Sequence, residues 1–116
     1  MSTIALTAGN FEQTVLDNEI VFVDFWASWC GPCRNFAPIY EAASESHGDL
    51  VFASVNTEEE QQLASAARVT SIPTLMAFKK GALVFSQAGA QPAPAHEQVI
   101  AAVRDFDGEA AKAAEQ

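Results

Sequence analysis

Positive charge is scarce in this sequence. Lys and Arg together number 6 against 15 Asp and Glu, and the formal net charge is −9. Phosphate binding needs clustered basic side chains, and the longest basic run here is Lys79-Lys80. We therefore expect no nucleic-acid partner.

Metal ligands are scarce too. The only cysteines are Cys30 and Cys33, and the only histidines are His47 and His96. A structural zinc site needs four ligands, and the spacing of these histidines does not resemble that of a zinc site. We expect no metal, and we expect both histidines to be ordinary surface residues.

Long apolar runs are absent as well. No stretch of about 18 apolar residues occurs, so we expect no membrane span. The first residues, Met1-Ser2-Thr3-Ile4, lack the charged and apolar regions of a signal peptide, which favours a cytoplasmic location. In a reducing cytosol, two cysteines three positions apart are reactive or metal-binding more often than structural.

The material that is present suffices for one folded domain. Of the 116 residues, 49% are hydrophobic and 8 are Phe. A domain of this size buries roughly two thirds of its unfolded surface, so it needs no disulfide in order to fold. We expect one domain over residues 1–107, a frayed Ala/Glu-rich tail over residues 108–116, and a monomeric protein.

Strand-like and helix-like segments alternate along the chain. Ile20–Trp26 is almost continuously apolar, which is typical of a strand buried on both faces. From Pro32 onward the apolar residues recur at helical spacing, and later two strand-like segments flank Lys80-Gly81 as in a β-hairpin. The order βαβαβαββα predicts an α/β fold with a central five-stranded mixed sheet flanked by four helices.

Polar side chains predict where two of the helices begin. Thr7 precedes apolar residues at helical spacing, so it is a candidate N-cap for the first helix. Thr57 and Glu60 have the spacing of a capping box, in which each side chain satisfies a free backbone donor of the other residue.

The two cysteines lie in the segment Trp29-Cys30-Gly31-Pro32-Cys33, where the buried strand gives way to the second helix. Residues three apart share one face of a helix, so the two Cα atoms should lie about 5 Å apart, within reach of a disulfide. Closing so short a loop adds little stability, and the bond is therefore suited to being made and broken.

The setting of the pair separates the two sulfurs by role. Cys30 would lie at the helix N-terminus, where the dipole and free backbone donors favour a thiolate, whereas Cys33 would be shielded one turn further in. Pro32 loses no helical hydrogen bond in the first turn, and Gly31 keeps the approach to the sulfurs narrow. This pattern predicts Cys30 as the nucleophile and Cys33 as the resolving thiol.

The sequence around the cysteines resembles the active site of the thioredoxin family, in its bacterial form. Residues 23–33 match the family pattern nearly residue for residue, and the resemblance extends from about residue 4 to residue 106. It includes Ala37-Pro38, the segment Ser71-Ile72-Pro73-Thr74-Leu75, and Ala88-Gly89-Ala90. The resemblance implies a thioredoxin-like fold and a protein-disulfide reductase.

Asp24 is the one charged residue in the apolar strand. Burial without a partner raises the pKa of a carboxyl group, although an Asp that faces a polar gap would fit the same pattern. The resemblance implies that Asp24 is the buried acid that helps to move the proton of Cys33. Many thioredoxins carry a Lys near this Asp on the next strand, and Ser54 stands there in this chain. We therefore expect Asp24 to titrate over a different pH range.

The resemblance also implies a docking surface for substrates. Pro73 would be a cis-proline that faces the dithiol, and the backbone of Ile72 would pair with an extended substrate segment. Together with Trp29, the residues Gly89 and Ala90 would complete an apolar surface. From the pattern alone, Pro73 is merely a proline at the start of a strand, and the others are loop or core residues.

The implied activity is that of a protein-disulfide oxidoreductase that works as a reductase. No bound cofactor is expected beyond the Cys30–Cys33 disulfide. An NADPH-dependent thioredoxin reductase would supply the electrons, because this chain has no nucleotide-binding glycine motif. Disulfide-containing proteins would be the substrates.

Two alternatives differ from this interpretation. An oxidase or isomerase could use the same fold, but Gly-Pro between the cysteines and the absence of an export signal favour a reductase. A binding module within a larger assembly is the other, and the intact dithiol with Asp24 argues against binding as the only role.

Overall fold

Five strands and four helices alternate in the order that the hydrophobic pattern predicts. The computed structural model describes residues 3–106. Its elements in chain order are β1 (Thr3–Ala5), α1 (Phe11–Asp17), β2 (Ile20–Trp26), α2 (Gly31–Ser46), β3 (Val51–Asn56), α3 (Gln61–Ala66), β4 (Thr74–Lys79), β5 (Ala82–Ala88) and α4 (Ala93–Asp105). The tail predicted for residues 108–116 lies outside the described residues.

The strands form one mixed sheet in the spatial order β1-β3-β2-β4-β5. β3 runs parallel to both β1 and β2, whereas β4 is antiparallel to β2 and β5 is antiparallel to β4. Parallel strands need a crossover connection, which the early helices supply, and the antiparallel pair β4–β5 needs only a tight turn. The predicted five-stranded mixed sheet with four helices is therefore confirmed.

β2 lies at the centre of the sheet and is buried along almost its whole length. Because side chains alternate across a strand, its even-numbered residues face α2 and α4 while its odd-numbered residues face α1. Phe22 packs with Phe36 on the first side, and Val23 packs with Val15 on the second. The carboxyl end of β2 leads into α2, and the cysteines lie at that junction.

The β4–β5 hairpin turns at Lys80 and Gly81, as predicted. Their φ angles are 53° and 83°, so both residues adopt the left-handed conformation of a tight hairpin turn. Glycine takes that conformation at no steric cost.

Both predicted helix caps are wrong. α1 begins at Phe11 with Asn10 as its N-cap, and Thr7 instead donates its backbone N–H to Oδ1 of Asn10 at 2.7 Å. α3 begins only at Gln61 and has no side-chain cap. The hydroxyl of Thr57 donates to the carbonyl of Trp26 at 3.0 Å, because residues 57–59 form a turn that follows β3 rather than a helix.

The prediction that both histidines are surface residues is wrong for His96. It lies one turn inside α4 and is only 1% exposed, because α4 begins at Ala93 and turns this residue toward the sheet. Aromatic rings surround it: Phe22, Phe36, Tyr40 and Phe52 all lie with centroids within 6.3 Å of the imidazole. His47 is partly buried and lies 2.9 Å from a carboxylate oxygen of Glu97.

Candidate active site

Cys30 and Cys33 form a disulfide at the N-terminus of α2. Their Cα atoms are 5.2 Å apart, in agreement with the separation that helical spacing predicts. Cys30 is the N-cap residue, Pro32 lies in the first turn, and Cys33 lies within the helix. Both cysteines are buried, at 4% and 3% exposure.

The sulfur of Cys30 lies where the helix favours negative charge. The backbone N–H of Cys33 points to it at 3.1 Å, so one of the unpaired donors of the helix terminus already faces this atom. When the disulfide is reduced, the same donor and the helix dipole stabilise a thiolate at Cys30. Cys33 lies one turn further along, inside α2, so its sulfur does not lie at the helix N-terminus.

The loop that precedes β4 approaches the same sulfur, because β4 begins beside the carboxyl end of β2. The peptide bond between Ile72 and Pro73 is cis, and the carbonyl oxygen of Ile72 lies 3.7 Å from Sγ of Cys30. Ile72 also packs against the two cysteines. Pro73 is fully buried, so the backbone that precedes it is held in place beside the disulfide.

The other predicted docking residues surround this loop. Trp29 is 68% exposed and lines a surface groove together with Ile72. Gly89 donates its backbone N–H to the carbonyl of Pro73 at 2.8 Å and has a φ of 104°, a conformation that favours glycine. Ala90 follows it and is exposed. The structure thus places Trp29 beside Ile72, and Gly89 beside Pro73.

Asp24 lies on the side of the sheet that faces α2, where it lines a pocket together with Cys33. It is 5% exposed, and its Oδ1 atom is buried without a hydrogen-bond partner among the described residues. Burial raises the pKa of this carboxyl from 3.8 to about 7. Ser54 lies directly opposite Asp24 in the register of β2 and β3, which confirms the neighbour expected from the sequence.

Asp24, Cys33 and Ser54 line one pocket of about 210 Å³. The sequence interpretation missed two other residues of this pocket, Tyr40 and Glu41. Their spacing from Cys33, seven and eight positions along one helix, could have identified them because it places them on the same face. The hydroxyl of Tyr40 donates to the carbonyl of Ala53 at 2.7 Å.

The charges around the pocket are fixed by further contacts. Glu41 accepts a hydrogen bond from the hydroxyl of Thr3 at 2.8 Å. Arg34 also lines the pocket, but its guanidinium donates to the carbonyl of Ser28 at 2.9 Å. Burial, followed by the Asp24 charge, raises the pKa of Tyr40 well above its ordinary value, so its hydroxyl stays protonated. Residues 3–106 contain no cluster of three or more residues that could hold a metal ion.

A five-stranded mixed sheet that presents a disulfide at a helix N-terminus, beside a cis-proline and a buried acid, defines a dithiol–disulfide oxidoreductase. The sequence model of the family described as Thioredoxin matches residues 2–102. A Streptomyces coelicolor protein of that family is 52% identical over 106 residues, which cover 91% of this chain and 79% of the relative. The chain belongs to the thioredoxin family.

Other relatives agree in sequence and in structure. The thioredoxin of Alicyclobacillus acidocaldarius is 43% identical over 105 residues, which cover 90% of this chain and 97% of that protein. A solved mutant thioredoxin from Halobacterium salinarum superposes with a TM-score of 0.84 at 31% identity, covering 91% of this chain and 94% of that one. The predicted family, fold and disulfide oxidoreductase activity are therefore confirmed.

Proposed function

We propose that this thioredoxin-family protein reduces disulfides in other proteins, with Cys30 as the nucleophile, Cys33 as the resolving thiol and Asp24 as the acceptor of the Cys33 proton. The observation that carries the proposal is the asymmetry of the site. The Cys30 sulfur faces a helix N-terminus, whereas Cys33 shares a pocket with a buried carboxyl group.

The proposed cycle has two exchange steps. The Cys30 thiolate attacks one sulfur of a substrate disulfide, which forms a mixed disulfide and releases the other substrate sulfur as a thiolate. The Cys33 thiolate then attacks the Cys30 sulfur, so that the second substrate sulfur leaves and the Cys30–Cys33 disulfide forms. Two electrons pass from the protein to the substrate.

Asp24 has the properties that the second step requires. Cys33 must lose its proton before it attacks, and Asp24 lines the pocket that Cys33 lines. A general base is most effective when its pKa lies near the working pH. Burial brings the pKa of Asp24 to about 7, whereas that of an ordinary Asp would be too low for this role.

The groove beside the disulfide suits an extended substrate segment. Strand-like segments bind through backbone hydrogen bonds, and the backbone of Ile72 lies next to the Cys30 sulfur. The exposed indole of Trp29 and the small residues Gly89 and Ala90 leave room for varied side chains. We therefore assign substrate docking to Trp29, Ile72, Pro73, Gly89 and Ala90, and redox tuning to Gly31 and Pro32.

Electrons, location and assembly complete the proposal. An NADPH-dependent thioredoxin reductase re-reduces Cys30–Cys33, which gives the protein a role in electron transport and cell redox homeostasis without a bound cofactor. The location is cytoplasmic and the protein is a monomer. Within residues 3–106, no helix is long and apolar enough to cross a membrane.

A trapping experiment tests the two cysteine roles against each other. Cys33→Ser is expected to accumulate a mixed disulfide with a substrate protein through Cys30, and Cys30→Ser is expected to accumulate none. Neither variant should reduce insulin disulfides in the presence of NADPH and a thioredoxin reductase. The reverse trapping pattern would overturn the assignment of the nucleophile.

The direction of the reaction is tested by the reduction potential of the Cys30–Cys33 couple, read from the fluorescence of Trp26 and Trp29 in defined dithiol buffers. A potential below that of the cytosolic glutathione pool supports a reductase. A potential well above it means an oxidant, and the absence of a reversible couple would leave a binding module as the function.

A further inference from the structure

Asp24, which lines the pocket shared with Cys33, accepts no hydrogen bond at its Oδ1 atom from any described residue. The side chain is 5% exposed, and this Oδ1 atom is buried. A buried carboxylate without a donor is costly, and a positive group that enters the pocket would offset that cost. The pocket of about 210 Å³ gives such a group a place.

The lining of the pocket indicates the chemistry of its ligand. Asp24 and Glu41 supply two carboxyl groups, and Ser54, which pairs with Asp24 on the neighbouring strand, supplies a hydroxyl. The remaining walls are largely apolar and include Trp26 and Ala37. One basic side chain, Arg34, lies on the lining, and its guanidinium is held by the carbonyl of Ser28.

We propose that this pocket binds a small primary alkylammonium ion, which pairs with Asp24 through its NH₃⁺ group and lays its alkyl chain against the apolar wall. An ammonium group has three N–H donors, and the carboxyl of Asp24 and the hydroxyl of Ser54 offer oxygen acceptors of the matching kind. The carboxyl of Glu41, which accepts a hydrogen bond from Thr3, adds negative charge to the lining. A bare metal ion would leave the apolar wall unused and would need more ligands than two carboxylates.

Binding of the ion is coupled to the proton on Asp24. At about pH 6 the carboxyl is mostly neutral, so entry of R–NH₃⁺ converts COOH into COO⁻ and releases one proton to solvent. The other titratable groups at the pocket are Glu41, Arg34, Tyr40 and Cys33, all from α2. Cys33 carries no proton while the disulfide is intact, so the released proton comes from Asp24.

The consequence for the reaction rests on the base role proposed above for Asp24, whereas the binding itself does not. A bound ammonium ion holds Asp24 ionised at lower pH. The rate of mixed-disulfide resolution should therefore keep its neutral-pH value further into the acidic range when the ion is present.

Calorimetry on the oxidised protein tests the binding without any turnover. n-Butylammonium chloride is titrated in two buffers that differ in ionisation enthalpy, at about pH 6 and about pH 8. Saturable binding is expected, with release of close to one proton at the lower pH and close to none at the higher pH. Tetramethylammonium, which has the charge without N–H donors, and 1-butanol, which has the chain without the charge, should not bind.

Three variants locate the site. Ser54→Lys supplies an ammonium group from the chain itself, so it should abolish butylammonium binding. Glu41→Gln should weaken binding about tenfold through the loss of one negative charge at the lining of the pocket. Glu45→Gln removes the same charge from an exposed position of the same helix and should leave the affinity unchanged.

The outcomes separate this proposal from the proposed function. Equal binding of tetramethylammonium, binding that survives Ser54→Lys, or no saturable heat would each overturn the site, whatever the reductase activity. Binding with the expected proton release supports the site even if the pH profile of resolution does not move. In that last case the base role of Asp24 would fail instead.

Discussion

Two buried titratable side chains, Asp24 and His96, lie on the same side of the sheet and have opposite surroundings. Asp24 lines a pocket that it shares with Cys33, whereas His96 packs among aromatic rings and lines a different pocket, beside Ala93 and Glu97. Both lack a hydrogen-bond partner for at least one polar atom among residues 3–106. The pocket of Asp24 contains a reacting thiol and that of His96 contains none, so we expect only Asp24 to exchange protons with Cys33.

The two groups also affect stability in opposite directions as the pH changes. Burial disfavours the charged form of each, so the pKa of Asp24 is raised and the pKa of His96 is lowered. Asp24 therefore destabilises the folded chain at high pH, where the unfolded carboxyl is ionised. His96 destabilises it at low pH, where the unfolded imidazole is charged.

Asp24→Asn should remove the largest pH-dependent cost. The folded state binds a proton at Asp24 between pH 3.8 and about 7 that the unfolded state has lost, so stability falls as the pH rises through this window. This rise in pKa corresponds to about 4 kcal/mol. Urea unfolding at about pH 4 and pH 8 should show that the unaltered chain loses roughly this much relative to the variant. If the free energy of unfolding changed equally with pH in the two proteins, burial would not raise the pKa of Asp24.

The same substitution should slow resolution of the mixed disulfide. Loss of a general base costs typically about 10²-fold or more in rate, and the effect should be greatest near neutral pH. Stopped-flow measurement of the return of the Cys30–Cys33 disulfide gives this rate. His96→Leu is the matched control, since it also removes a buried titratable group from the same side of the sheet and should leave the rate unchanged. An equal loss in both variants would mean that Asp24 acts on the rate only as a buried polar group does, and not as a base.

His96→Leu should stabilise the fold, and more so in acid. Leucine has no polar atoms, so the variant avoids the cost of two unpartnered ring nitrogens, about 1–3 kcal/mol. Because the folded pKa of His96 is lowered, the unaltered chain loses stability as the pH falls below 6.5, and the variant does not. Unfolding midpoints at about pH 5 and pH 8 measure the difference. A gain that is the same at both pH values would show that protonation is not involved.

Asp49→Asn should have the smallest effect. Asp49 forms an exposed ion pair with Arg104 at 2.8 Å, and the hydrogen bond from Arg104 lowers the pKa of Asp49 to about 2. Its contribution is present above pH 3.8 and is lost as the pH falls toward 2, but water and salt screen an exposed pair. At physiological salt the unfolding midpoint should not move measurably. A clearly lower midpoint would mean that the exposed Asp49–Arg104 pair stabilises the fold in spite of screening by water and salt.

The sequence by itself determined the architecture and the reactive pair. Ile20–Trp26 is apolar except for Asp24, and a strand of this kind can bury the side chains of both faces only at the centre of a covered sheet. The Cys30–Cys33 spacing fixes the distance between the two Cα atoms once a helix begins there, so the disulfide follows from local geometry. The family resemblance added Asp24 and the cis-proline at Pro73, which local pattern alone left open.

Only the tertiary structure decided which polar residues are buried and what surrounds them. Thr57 has the spacing of a capping residue, yet its hydroxyl donates to the carbonyl of Trp26 at the end of β2. A hydroxyl can bond a backbone group of a distant segment instead of one in its own helix, and the tertiary structure decides between them. His96 lies among aromatic rings from β2, β3 and α2, which are distant from it along the chain. Burial and electrostatics depend on contacts between distant segments, and no local pattern contains those contacts.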